Sequence, residues 1–249
     1  MVSDLNHFPM TRRRWIADEV LGNTAALVGE HAGHLVRVLR AEVGQEFDIA
    51  TGGEVRRGTI TSISDGRVEF ALGSVLEVKA LPRITLALAI FKFDRMEWAI
   101  EKCTEIGVGR IIPVIARRTD AHLAAAAIKR HERWSRIALQ ASEQARRAAP
   151  PEIFEPVKLK ELASAVPNAT RLVLAESLAG SRESARLGDA FQSATSDVAL
   201  AVGPEGGWAD EELAWFQDSG WIAASLGDTI LRAETAAIVA TAIAFETLR

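Results

Sequence analysis

Two glycine-marked turns close to the C-terminus could hold a small molecule by backbone alone. The first, Gly203-Pro204-Glu205-Gly206-Gly207, follows the apolar run 197–202; the second, Leu226-Gly227, leads through Ile230 and Leu231 into Arg232-Ala233-Glu234-Thr235-Ala236 and an alanine-rich stretch. Each reads as strand, tight turn, helix, which leaves helix-end N–H and strand-end C=O groups free for a ligand. With only about 20 residues between them, the two turns can line opposite sides of one pocket. Neither is a G-x-G-x-x-G dinucleotide fingerprint, and neither carries the Gly-Lys-Ser/Thr of a P-loop. Glu205 stands where a phosphate would sit and repels it, so a nucleoside with a cationic centre fits better than ATP or NAD. Arg232 is disfavoured at a helix start by the helix dipole. It therefore serves an anionic group of a ligand, or a salt bridge to Glu205 or Glu234.

The elements that must position these turns follow from periodicity. From Ile84 onward, apolar runs alternate with amphipathic stretches: strand Ile84–Phe91, helix Asp94–Ile106, strand 111–115, helix His131–Ala145, strand Arg171–Ala175, helix Arg182–Phe191, strand Val198–Val202, and helices Asp210–Ser219 and Glu234–Leu248. Strands separated by helices imply a parallel α/β sheet with its ligand beyond the strands' C-terminal ends. Residues 1–76 read instead as a small β-rich unit, with hairpin signals at Gly52-Gly53 and Asp65-Gly66 and clean alternation of Val68, Phe70 and Leu72. A helical stretch, His31–Leu39, places Leu35, Val36 and Leu39 on one face. Leu81-Pro82 punctuates the change of pattern, and the second domain is assigned to 77–249.

The chain has 249 residues, 48% hydrophobic and 25% charged, the composition of an ordinary globular protein. Its longest strongly apolar stretch, 236–245, is too short to span a bilayer. Arg12-Arg13-Arg14 is followed by no apolar segment, so no signal peptide is expected. The single cysteine, Cys103, excludes an internal disulfide, fits a reducing cytoplasm and falls on the apolar face of its helix. The five histidines show no metal-ligand spacing, and no metal is expected. Charge is uneven: residues 81–150 carry 13 Lys+Arg against 7 Asp+Glu, whereas 151–249 carry 7 against 15. A basic middle segment suits either a polyanion-binding surface or solvated helix faces. Arginine dominates it, as bidentate phosphate contact favours. With no stacking motif and no tyrosine, recognition of folded RNA by shape and backbone is favoured over a single-strand platform.

In order and spacing, several motifs resemble the RsmE family of ribosomal RNA uridine N3-methyltransferases, in the SPOUT class. They are His34-Leu-Val-Arg-Val-Leu-Arg40 with Gly44, Lys92-Phe-Asp-Arg-Met-Glu-Trp-Ala-Ile-Glu-Lys102, Thr104-Glu-Ile-Gly-Val108, and Glu143-Gln144 with Pro151-Glu-Ile153. The two glycine turns complete the set, and the resemblance covers nearly the whole chain. It implies an N-terminal PUA-like β-barrel and a C-terminal parallel sheet with a trefoil knot, a topology that chain-connection rules alone argue against. It further implies a homodimer, S-adenosylmethionine as cofactor, and methylation of N3 of one uridine of 16S rRNA, on naked RNA or on the small ribosomal subunit.

On that resemblance, backbone around Ala175-Glu176, Gly203–Gly207 and Leu226–Leu231, with Thr235, holds the cofactor. Arg232 is the candidate for stabilising the uridinate, and Glu205 a weaker candidate for a base or a ribose contact. RNA is expected against Arg12, Arg13, Arg14, His34, Arg37 and Arg40 of the first domain, and against Lys92, Arg118, Gln144 and Arg147 of the second. The chain departs from the family pattern at Ala145 and Arg146, where a small residue and glycine are usual, and at Ala149, Arg117 and Ala233. The alanine-rich last helix, or helix Asp94–Ile106, is expected at the dimer interface. Another SPOUT RNA methyltransferase with a different target, or a non-catalytic RNA-binding or ribosome-assembly protein, are the competing readings.

Overall fold

A computed structural model describes residues 14–166, 169–175, 185–191 and 197–249. The described residues fall into two compact units, 14–79 with 142–149, and those within 80–141 and 150–249.

In the first unit, strands β1 (Arg14–Ile16), β2 (Glu19–Leu21), β3 (Thr24–Val28), β4 (Glu46–Ala50), β5 (Val55–Ser64) and β6 (Arg67–Leu76) form one sheet in the order β1-β4-β5-β6-β3-β2. All neighbours are antiparallel except β1 and β4. The two glycine hairpins close β4–β5 and β5–β6 as the turn chemistry requires. The alternation of β6 buries Val68, Phe70 and Leu72 against Trp15, Leu27, Leu35 and Ile49. Helix α1 (Gly29–Arg37) has the expected length but starts and ends two residues earlier than its periodicity predicts. Leu35 is buried, but Leu39 lies beyond the helix and is 45% exposed. Arg40 just after it takes φ 51, incompatible with continuing the helix.

The segment 142–149 completes this unit. The Ile16 amide donates to the buried Glu143 carboxylate, and Arg14 donates to the Arg146 carbonyl. Arg146 has φ 56, the left-handed region that favours glycine, and it stands where the family resemblance leads one to expect glycine.

The second unit is a parallel sheet. Its strands are β7 (Arg83–Ala89), β8 (Arg110–Ile115), β9 (Glu152–Ile153), β10 (Val157–Lys158), β11 (Thr170–Leu174), β12 (Ala185–Arg186), β13 (Asp197–Val202) and β14 (Ile222–Ser225). The order is β10-β8-β7-β13-β11-β14-β12, with β9 also on β8. Every pairing is parallel. The helices are α2 (Phe93–Ile106), α3 (Ala121–Ala127), α4 (His131–Gln144), α5 (Leu162–Ala165), α6 (Leu187–Ala190), α7 (Asp210–Asp218) and α8 (Ala233–Thr247). The helix expected over 182–191 is corrected: residues 182–184 lie outside the described residues, 185–186 pair with β14 as an edge strand, and only 187–190 are α-helical.

The central strands are buried on both faces, as their continuous apolar runs require. Ile84, Leu86 and Leu88 of β7, with Val198, Leu200 and Val202 of β13, face Met96, Ile100 and Cys103 of α2 and Ala237, Ala240 and Ala244 of α8. The alternate residues, Ala87, Ala89, Ala199 and Ala201, face Trp208, Phe216 and Trp221. Small residues on this side leave room for three stacked-edge aromatics, with Phe216 4.8 Å from Trp208 and 5.1 Å from Trp221. Burial pushes the Cys103 thiol up to about 12, so it is a packing group and not a nucleophile. No described helix is long and apolar enough to cross a membrane.

One face of α8, with Ala237, Ala240 and Ala244, packs against α2, whereas Ala236 and Val239 are half-buried and Ala242 is exposed. Gly107 makes that packing possible. It ends α2 with φ 131, and a Cβ there would sit 2.6 Å from the Phe245 ring of α8. Gly107→Ala is expected to cost roughly 2–5 kcal/mol, combining backbone strain with overpacking. Urea unfolding measures it, and a loss below about 1 kcal/mol would show that Phe245 simply swings aside.

Candidate active site

Both glycine turns open at the carboxyl edge of the parallel sheet, where α/β sheets bind their ligands. They line one cavity of about 1300 Å³. Gly203, Pro204, Glu205, Gly206 and Gly207 follow β13, Leu226, Gly227, Ile230 and Leu231 follow β14, and Ala175 follows β11 between them. Arg232 and Lys92 also line it. Thr235 is not among the lining residues, although its neighbours Glu234 and Ala236 are. Glu176 lies outside the described residues.

The first turn is closed by the Gly207 amide donating to the Pro204 carbonyl at 2.8 Å, with Gly207 at φ 68. Trp208, next in the chain, is buried in the aromatic cluster and fixes the turn's exit. A Cβ on Gly203 would press on its indole at 3.2 Å. Two side chains from distant sequence hold the turn from outside. Arg118 donates to the Gly206 carbonyl at 2.6 Å and to the Trp208 carbonyl at 3.2 Å. Buried Glu212 accepts from the Arg117 and Ala209 amides, both at 2.8 Å, tying the chain after β8 to the start of α7. Arg118, expected against RNA, thus supports the glycine turn. Arg118→Ala is expected to weaken ligand binding at the turn by about 1–2 kcal/mol, roughly 5- to 30-fold. Calorimetry tests this, and an unchanged affinity would return Arg118 to the RNA surface.

The charges around the cavity sort in a way that sequence could not disclose. Glu234 is 4% exposed and pairs with Arg95 of α2, not with Arg232. Arg232, at the N-cap of α8, is exposed, and its guanidinium makes no hydrogen bond or ion pair with the described residues. The salt bridge of Arg232 to Glu205 or Glu234 is therefore absent, and its guanidinium is available to a ligand. Lys92, at the N-cap of α2, is exposed and equally unpartnered. Sequence reasoning missed Arg95, Trp208, Asp228 and Arg186, all of which line the cavity. The signal for Arg95 was its place within the Lys92–Lys102 motif, next to the buried Met96.

Among the other expected RNA contacts, Arg37 and Arg40 are exposed in the first unit, and Gln144 is exposed at the end of α4. Arg37 also bonds the Gly33 carbonyl at 3.3 Å. His34 is half-buried, edge-on to Trp15 at 5.8 Å. Arg14 is engaged with the Arg146 carbonyl, and burial holds its guanidinium below its ordinary value. Arg147 is 8% exposed and is pushed down to about 10 by desolvation, so it does not present a surface phosphate contact. Arg12 and Arg13 lie outside the described residues. Part of the basic middle segment is spent on ion pairs: Arg133 grips Glu97 with two nitrogens at 2.7 and 2.8 Å, and Arg110 pairs with Glu152.

Comparison with known proteins bears on this arrangement. Residues 79–245 match the family model described as an RNA methyltransferase domain, and residues 29–72 match that of an RNA methyltransferase PUA domain. A ribosomal RNA small subunit methyltransferase E from Synechocystis is 33% identical over 94% of this chain and 77% of its own. Its counterpart in Bacillus subtilis is 29% identical over 90% and 91%. Among solved structures, the ribosomal RNA small subunit methyltransferase E of Neisseria gonorrhoeae, bound to S-adenosyl methionine, superposes with a TM-score of 0.81 at 29% identity, covering 93% and 95% of the two chains. A methyltransferase of Legionella pneumophila, in complex with the same cofactor, gives 0.82 at 32% identity, covering 94% and 97%.

Proposed function

Since the chain belongs to the ribosomal RNA small subunit methyltransferase E family, we propose that it methylates N3 of one uridine of 16S rRNA, using S-adenosylmethionine. It is an S-adenosylmethionine-dependent rRNA methyltransferase, with a PUA domain joined to a SPOUT-type knotted α/β domain. The observation that carries the finer reading is one cavity bearing two glycine turns and an unpartnered arginine.

The residues present fit the cofactor. Single small-molecule pockets are typically about 300–1,000 Å³, so this one has room for a nucleoside donor and an incoming base. The turns offer backbone N–H and C=O groups without side chains in the way. Backbone of Ala175, Gly203–Gly207 and 226–231 would hold the donor, with Glu205 or Asp228 facing its hydroxyls or positive charge. When bound, the donor supplies an electrophilic methyl group on a sulfonium.

The chain's own work is alignment and charge. The turns fix the donor relative to the cavity and exclude water from it, the main contribution open to a transfer with so good a leaving group. Uridine N3 must lose its proton, leaving negative charge on the ring oxygens. Arg232 meets that charge because it has no competing carboxylate. Glu205, exposed on the first turn, accepts the proton or contacts a ribose. RNA phosphates meet Arg37 and Arg40 of the first unit and Lys92 of the second, giving binding that weakens steeply with salt.

The enzyme works in the cytoplasm as a homodimer to whose interface α8 or α2 contributes, and sedimentation at micromolar concentration checks the dimer. The assignment itself is tested by methyl transfer to unmodified small subunits and to their deproteinised RNA, with nucleoside mass spectrometry. N3-methyluridine is the expected product, and a methyl group on another base or on a ribose would replace the reading with another SPOUT target.

A further inference from the structure

The cavity is a trough along the carboxyl edge of five parallel strands, in the spatial order β7, β13, β11, β14, β12. Lys92 follows β7 at one end, and Arg186, the last residue of β12, stands at the other. Arg186 lies opposite Ser225, which lines the same wall. Both cations are exposed, and neither side chain has a hydrogen bond or ion pair with the described residues. Four strand steps of about 4.8 Å separate their strands, roughly 19 Å. The glycine turns and Ala175 lie between them.

From this arrangement we infer that Lys92 and Arg186 grip phosphates on either side of the target nucleotide, so that the RNA strand crosses the trough from β7 to β12. The inference rests on reading the cavity as the methyl-transfer site, and it adds Arg186 as a substrate-positioning residue. Each cation occupies a helix N-cap, where the macrodipole and capping chemistry favour an acidic or hydroxyl side chain. Local stability therefore does not explain either one. At each end of a concave surface, a cation with no partner among the described residues is what a polyanionic strand needs. The backbone separation is too great for both residues to share one phosphate, so they hold different phosphates of the same strand. The carboxylates on the wall, Glu205 and Asp228, sit on the turns between the two ends, where a base and a cationic donor are held and no phosphate is. The third, Glu234, is already neutralised by Arg95.

The test uses the full chain with Arg186→Gln, Lys92→Gln and the double variant, on unmodified small subunits at saturating donor and several salt concentrations. Each single change is expected to raise KM for the subunit about 5- to 10-fold, far more than it lowers kcat, with the factors multiplying in the double variant. The slope of log(kcat/KM) against log salt becomes shallower by about 0.7–0.9 for each cation removed. Arg186→Lys restores most of that slope, because a point charge suffices for a phosphate. An unchanged KM and salt slope in Arg186→Gln overturns the inference. So does a loss of donor affinity, by calorimetry, that matches the loss for the subunit, because Arg186 would then hold the donor's carboxylate. Failure of the functional reading is separable: the wild-type protein would then form no N3-methyluridine in the same assay.

Discussion

Replacing Arg232 by alanine is expected to lower kcat at least about 100-fold while leaving the dissociation constant for S-adenosylmethionine within about three-fold. The magnitude is that of removing one preorganised donor from a developing anion. Its physical basis is the charge arrangement around the cavity. Had Arg232 been paired with Glu234, its loss would strand a buried carboxylate and damage the fold. Glu234 is instead held by Arg95, so Arg232 can be removed without orphaning any group. The fold and the donor site should survive, and single-turnover rates with calorimetry separate the two effects. Because uridine ionises unaided as pH rises, the deficit of the variant should shrink under alkaline conditions. Equal losses of rate and donor affinity would move Arg232 from the reacting base to the donor.

Gly227→Val is expected to reduce donor affinity at least about 10-fold with little change in thermal midpoint. Gly227 has φ 116, a conformation that costs a side-chain-bearing residue about 1–3 kcal/mol and that valine, branched at Cβ, tolerates worst. No atom lies within 4 Å of a Cβ built there, so crowding does not contribute and the effect is conformational: the turn must flip. Its carbonyl and amide groups then leave the cavity wall. Gly220→Ala is the control. It also has positive φ, at 75, with open space around it, but it ends α7 away from the cavity and should leave donor affinity unchanged. If both variants bind the donor like wild type, the second turn is not part of the site.

Periodicity made most of the elements legible. Strands with double-sided burial and helices with apolar stripes announce themselves within a dozen residues, and β7, α2, β8 and α8 all lie within one or two residues of the expected bounds. The errors fall where local signals compete. Residues 185–186 carry a helical pattern but serve as an edge strand, because β14 offers them a free ladder. Leu39 belongs to the apolar stripe of α1 by spacing, yet the left-handed Arg40 ends the helix before it. The short β9, β10 and β12 are made by the sheet they join and have no signature of their own.

The glycine turns were readable for a related reason. A positive φ favours glycine, with Arg40 and Arg146 as the exceptions among the described residues, so Gly207 and Gly227 mark turns in the sequence itself. Charges carry no such address. Arg232, Arg95, Arg118, Lys92 and Arg186 are equivalent donors in a string of letters, and Glu234 or Glu205 could pair with any of them. Only the folded chain brings Arg95 to Glu234 across 139 residues and Arg118 to Gly206 across 88. By satisfying those two, it leaves the side chains of Arg232, Lys92 and Arg186 around one cavity with no partner among the described residues. Backbone conformation is a local property that residue type dictates. Which cations stay uncompensated depends on long-range packing, and that selection is made by the tertiary structure.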